Sequence, residues 1–149
     1  MFVREILSAA RQRLARIGMD ATLAEVATLL SVKHTNLVVV CDSEERMIGV
    51  ITDSDIVRYF AHCRRHDHPW DLCATTIMTH DVISCRPEDQ LHEVWATMRS
   101  DSLRHIPVIG ADQKPIGILY ARDALKSLLK EVHHEEDILR DYILGTGFH

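Results

Sequence analysis

The sequence predicts an α+β fold in which two copies of one β-α-β-β-α unit pack sheet to sheet about a pseudo-twofold axis, followed by a C-terminal helical extension. Three observations carry this. A shift of 68 positions, the step from Gly49 to Gly117, also lays Leu23 on Leu91, Glu25 on Glu93, Val26 on Val94, Val40 on Val108, Ile48 on Ile116 and Asp55 on Asp123 without a gap. Such self-similarity marks a repeated structural unit. Within each copy, apolar residues at spacings of three and four give way to continuous β-branched runs, the change from helix to strand. Those runs are apolar throughout, which implies strands covered on both faces, and half a chain cannot cover both alone.

Each copy opens on a short strand, Leu14 to Ile17 and Val82 to Cys85. A turn and helix cap follow, Asp20-Ala21-Thr22 and Pro87-Glu88-Asp89, because short polar side chains satisfy the orphan N–H groups of a helix start. The helices carry apolar stripes at Leu23, Val26, Ala27 and Leu30, and at Leu91, Val94, Trp95 and Met98. Two buried strands come next, Leu37 to Cys41 with Met47 to Ile51, and Ile106 to Ile109 with Ile116 to Leu119; each pair is joined by a polar turn, and a helix then starts near Ser54 or Arg122. The copies occupy 3–61 and 72–129, with a polar linker over 62–71 and an extension over 130–149. The last helix outruns the repeat, with Leu125, Leu128, Leu129, Val132, Leu139, Tyr142 and Ile143 keeping helical spacing up to an expected stop at Gly145. An apolar stripe beyond the repeat needs a cover, and a symmetric homodimer supplies one.

Composition narrows the function classes. The chain has 149 residues, 46% of them apolar, and a net charge of −5, without the basic surplus that nucleic-acid and anionic-membrane binders use. Its longest apolar run, Leu37 to Cys41, is far too short to span a bilayer, and no signal-peptide pattern opens the sequence, so a cytoplasmic location is expected. Cys41, Cys63, Cys73 and Cys85 show no C-x-x-C spacing and read as reduced, structural thiols. No nucleophile elbow, P-loop, dinucleotide fingerprint or zincin motif is present, so no enzyme and no catalytic residue is expected.

After the last strand of each copy stand Gly49-Val50-Ile51-Thr52-Asp53-Ser54-Asp55 and Gly117-Ile118-Leu119-Tyr120-Ala121-Arg122-Asp123. With the repeat, the element order and the entry His105-Ile106-Pro107-Val108, this resembles a tandem cystathionine-β-synthase (CBS) domain pair, the Bateman module, over nearly the whole chain. The hallmark of that family is a glycine, then Ser or Thr, then Asp at the strand-to-helix turn. The resemblance implies a regulatory module, here a stand-alone one, with an adenine nucleotide in the cleft between the repeats. The chemistry suits it: Thr52, Ser54 and the helix N-terminus offer donors to phosphate, and the Asp55 carboxylate accepts from ribose hydroxyls. The competing reading is that Thr52 and Asp55 only cap the helix.

The resemblance also implies that Arg104 and His105 point into the cleft toward phosphates, and that Met78 and Ile83 wall the adenine. Plain alternatives are a solvated Arg104 and a Met78 and Ile83 that are simply core. The second copy departs from the pattern, with Tyr120 in place of the hydroxyl residue and Arg122 beside Asp123. A phenol cannot imitate that hydroxyl, whereas Arg122 either binds phosphate or fills the site. Non-equivalent sites are therefore expected. His62, Cys63, His66 and His68 invite a metal reading but lack paired half-site spacing, so no metal is assigned. His133, His134, Trp70 and Trp95 read as solvated face or packing.

The expected function is thus a non-catalytic sensor that needs no cofactor and binds AMP first, with ATP, ADP and NAD as alternatives. It is expected to act as a homodimer and report to a regulated protein, without nucleic acid or membrane. The rival is a structural dimerisation or docking module with degenerate sites. A metal or redox sensor comes third and a nucleotide hydrolase last.

Overall fold

The computed structural model describes residues 1–62 and 69–147. Helix α1 (Leu7–Gln12) leads into strand β1 (Arg16–Gly18), helix α2 (Leu23–Lys33), strands β2 (Leu37–Cys41) and β3 (Met47–Thr52), and helix α3 (Asp53–His62). The second copy contributes α4 (Leu91–Ser100), β4 (His105–Ile109), β5 (Pro115–Tyr120) and α5 (Ala121–Gly147). In one sheet β1 runs parallel to β2 and β2 antiparallel to β3; in the other β4 and β5 are antiparallel. Both hairpins break register at the same place, after Val40 and after Val108, a pair related by the repeat.

The period of two explains why the sheets stack. Along β2 and β3, Val38, Val40 and Ile51 face α2 and pack with Leu23, Val26 and Leu30, while Leu37, Val39, Cys41 and Val50 meet Ile118 and Tyr120 of the other sheet. Every residue of β2 is consequently buried. On the far side, Ile106, Val108 and Leu119 close a second core with Leu91, Val94 and Met98 of α4.

The copies also exchange their leading segments. Residues 1–12 lie on the second copy: Val3 N–H donates to the Asp89 carbonyl at 3.0 Å, Leu91 N–H to the Met1 carbonyl at 2.8 Å, and Ala10 packs in the second core. Residues 69–79 lie on the first: Leu23 N–H donates to the Leu72 carbonyl at 2.8 Å, and Thr79 pairs with Val50. Gly49 and Gly117 permit both dockings. A Cβ on Gly49 would stand 2.7 Å from Met78 Sδ, and one on Gly117 would stand 2.8 Å from the Ala10 backbone.

Three sequence expectations change. The strand expected over Val82 to Cys85 is reduced to a single bridge, Cys85 with Val108. In the first copy the ladder continues through the bond from Val39 N–H to the Ala15 carbonyl at 2.8 Å. The repeat puts Pro107 where Val39 stands, and proline has no N–H to give Ile83. The cap expected at Pro87 to Asp89 also moves. Asp89 accepts from Arg86 N–H at 2.8 Å, and Gln90 is the N-cap of α4 without a side-chain bond. By contrast Thr22 and Glu25 form a reciprocal capping box on α2. Finally, α5 runs through Gly145 instead of stopping there, and among the described residues no glycine adopts the left-handed conformation that ends a helix.

Beyond the second core α5 projects its stripe outward, with Leu129, Val132, Ile138, Leu139, Tyr142 and Ile143 all exposed. No helix among the described residues is long and apolar enough to cross a membrane. Burial raises the thiol of Cys41 and pushes that of Cys85 up to about 12, so both stay protonated inside the sheets. Trp70 packs on Phe60 with ring centroids 4.9 Å apart, and Trp95 lies against the second core.

Candidate functional site

Where the β3–α3 turn meets the second copy lies an open cleft of about 930 Å³. The first copy contributes Asn36, Thr52, Asp53, Ser54, Asp55 and Arg58; the second contributes Asp81, Val82, Ile83, Arg104, His105, Tyr120 and Arg122. The missing ladder bond at Pro107 matters here, because Ile83, freed from the sheet, stays 42% exposed and forms part of this wall.

The turn holds itself together. Thr52 N–H donates to Asp55 Oδ2 at 2.9 Å, and Asp55 N–H donates to Thr52 Oγ1 at 3.1 Å, a reciprocal capping box. Capping thus uses one carboxylate oxygen of Asp55; the other lies 3.4 Å from the half-free Arg58 guanidinium. Carboxylate oxygens carry about two lone pairs each, so the group keeps acceptor capacity toward the cleft. Asp53 is fastened by Asn36, whose side-chain amide donates to it at 2.7 Å.

Charge is divided between the copies. From the first copy come Asp53 and Asp55 in the first turn of α3, with Arg58 paired to Asp55; from the second come Asp81 and the guanidiniums of Arg104 and Arg122, and among the described residues neither of these two makes an ion pair. Between them His105 packs edge-on to Tyr120, ring centroids 4.9 Å apart. Burial holds the His105 pKa below its ordinary value, against the pull of Asp53 and with the help of Arg104, so the imidazole is neutral near pH 7. The cleft therefore offers carboxylate acceptors from the α3 turn together with two guanidiniums that make no ion pair. That polarity suits a ligand with a hydroxylated neutral part and an anionic part.

Of the ten residues singled out from sequence, eight line this cleft: Thr52, Ser54, Asp55, Ile83, Arg104, His105, Tyr120 and Arg122. Two do not. Met78 packs against the first core, its sulfur pressed onto Gly49. Asp123 lies apart, its carboxylate bound by Arg13, with Nε to Oδ2 at 3.2 Å and Nη2 to Oδ1 at 3.3 Å. Sequence reasoning passed over Asp53, Arg58 and Asp81 among the lining groups, and Arg13 altogether, while Asn36, aligned by the repeat with Arg104, counted for the rival reading; the repeat pairs Arg13 with Asp81 and was the available signal. Of the connector's metal-type residues, Cys63, His66 and His68 lie outside the described residues, and His62 Nδ1 is 2.9 Å from the Arg58 carbonyl. Among the described residues no group of three or more His, Cys, Asp or Glu is placed to hold a metal ion.

A family model described as CBS domain matches residues 3–62 and again 74–130. The chain belongs to the CBS domain family. A CBS domain protein from Pyrobaculum aerophilum, solved in complex with AMP, is 27% identical and superposes with a TM-score of 0.70 over 83% of this chain and 89% of that one. The CBS domain pair of protein MJ0100, solved with 5′-methylthioadenosine and S-adenosyl-L-methionine, is 19% identical with a TM-score of 0.71 over 88% of this chain and 97% of that one, a likeness of fold. Among curated relatives, an uncharacterized 17.7 kDa protein of Acidianus ambivalens is 32% identical over 76% of this chain and 66% of its own length. The chain spans 66%, 55% and 20% of the first three such relatives.

Proposed function

We propose that this CBS pair is a regulatory sensor that binds an adenine nucleotide, AMP first, in the open cleft and releases it unchanged. One observation carries the reading: the Thr52–Asp55 turn of one copy faces the unpaired Arg104 and Arg122 of the other across the same cavity. Asp55 accepts from the ribose, Ile83 flanks the base, and Arg104 and Arg122 meet phosphate. The AMP complex of the Pyrobaculum protein supports an adenosine-type ligand. The guanidiniums of Arg104 and Arg122, neither of them in an ion pair among the described residues, favour a phosphate over the sulfonium of S-adenosylmethionine, with ADP, ATP and NAD as alternatives. Because the ligand touches both copies, it shifts their relative orientation, which a regulated protein reads. The exposed stripe of α5 is assigned to a homodimer in a cytoplasmic setting.

A thermal-shift panel of AMP, ADP, ATP, NAD, S-adenosylmethionine and GTP tests the reading. Saturation to 100 times Kd adds about 2.7 kcal/mol, several degrees for a domain of this size. A melting curve unmoved by every adenine ligand at millimolar concentration hands the case to the structural module.

A further inference from the structure

The two copies treat the equivalent position oppositely. In the first, the pairing of Val50 with Thr79 carries the chain forward to Asp81, a carboxylate that cannot pair with Asp55, and the cleft between them stays open. In the second, Gly117 lets the backbone of α1 dock at Ala10, and Arg13, three residues on, reaches Asp123. Its guanidinium engages both oxygens of that carboxylate and lies with its central carbon 4.2 Å from the centroid of the Tyr120 ring. The ring is fixed in turn, its hydroxyl 3.0 Å from Thr35 Oγ1 of the first copy. With side chains 33% and 21% exposed, Arg13 and Asp123 are a half-sheltered, bidentate and stacked pair, not a loose surface contact.

We infer that Arg13 is the resident occupant of the site at the Asp123 turn of the second copy: a planar cation that takes the carboxylate oxygens and the aromatic face a nucleoside would need, and so limits the chain to one adenosine-type ligand. This rests on the reading of Asp55 as the ribose acceptor in the open cleft. The Tyr120 ring becomes a stacking surface for a base once the guanidinium leaves.

Calorimetry with AMP on the full chain tests this, with adenosine as a second probe. The native chain is expected to take one equivalent. Arg13→Ala is expected to reveal a second equivalent, bound at least about 10-fold more tightly than anything the native chain shows beyond its first. Arg13→Gln, which keeps the start of the aliphatic stem and a polar end but is shorter and uncharged, guards against a folding defect and should show the same second equivalent. Arg13→Ala combined with Asp123→Ala should return the stoichiometry to one. A native chain that already takes two equivalents, or one equivalent in both single variants, overturns the inference while leaving the open cleft intact. No binding to the native chain, with one equivalent in Arg13→Ala, overturns the reading of the open cleft alone; no binding in any form overturns both.

Discussion

Asp55 and Asp123 occupy the same place in two copies of one motif, yet the first faces a cavity of about 930 Å³ and the second is held by a guanidinium. The strand, glycine and helix around them match, so the backbone does not account for the difference. The lead-in segment crossing from the other copy does: it delivers Asp81 to one end and Arg13 to the other. Two matching frameworks thus receive different side chains from the segments that cross between the copies. The largest expected effects test this division. Asp55→Ala should weaken AMP by about 10- to 100-fold, the cost of losing hydrogen bonds to a charged acceptor, with little change for Asp123→Ala at the tight site. Calorimetry on the two variants decides, and equal losses would mean the ends are alike.

The glycines that admit the crossing segments sharpen the comparison through stability. At Gly117 an added Cβ meets the Ala10 carbonyl carbon at 2.8 Å and its oxygen at 2.9 Å, fixed backbone that cannot yield. At Gly49 it meets Met78 Sδ at 2.7 Å, the movable end of a flexible side chain, along with the Thr79 carbonyl oxygen at 2.8 Å. Overpacking costs about 1–3 kcal/mol, and Gly117→Ala should lie at the upper end with Gly49→Ala below it. Denaturant melts of both variants check the order. Gly117→Ala also lifts α1 and with it the arm that carries Arg13.

Val39 and Pro107, one repeat apart, set how far each first strand pairs. Val39→Pro removes the donor to Ala15, whose residue is buried, and the orphaned carbonyl should cost about 1–3 kcal/mol in a urea melt. The reverse change, Pro107→Val, supplies the missing donor. Its gain of about 0.5–1.5 kcal/mol is offset by about 0.4–1 kcal/mol of restored freedom in the unfolded chain, so stability should hardly move. The sensitive readout is AMP affinity, which should fall if Ile83 is drawn back into the sheet and out of the cleft wall.

How much of this was legible in the sequence depends on the range of the interaction. Helices α2 and α4 and the buried strands followed from spacing and β-branched runs, because those signals are local. The turn at Thr52 to Asp55 was legible for the same reason, its hydrogen bonds spanning three residues. The loss of the Val82 to Cys85 strand was not, since Pro107 acts across the sheet on a neighbour that periodicity does not identify. Asp123 was read from its motif alone, while its partner lies 110 residues away and meets it only because α1 crosses to the other copy. The aligned pair of Arg13 and Asp81 held that information, but its meaning required knowing which copy each lead-in covers.

The smallest expected effect concerns His105, which stands where the first copy has Leu37. Its imidazole is walled by Tyr120, with Asp53 and Arg104 the charged groups nearest in influence, and burial is the largest cause of its lowered pKa. The folded state therefore binds a proton less readily than the unfolded chain, so unfolding takes up a proton as the pH falls. The stability this neutral form contributes is complete above the ordinary histidine value of about 6.5 and is lost as the pH drops through that value toward the lower folded one. His105→Leu, which copies the first repeat, removes the titration. Melting temperature plotted against pH should accordingly fall less steeply below about 6.5 in His105→Leu than in the native chain. Identical slopes would show that protonated His105 is tolerated in the cleft, and that its wall is wetter than the packing against Tyr120 implies.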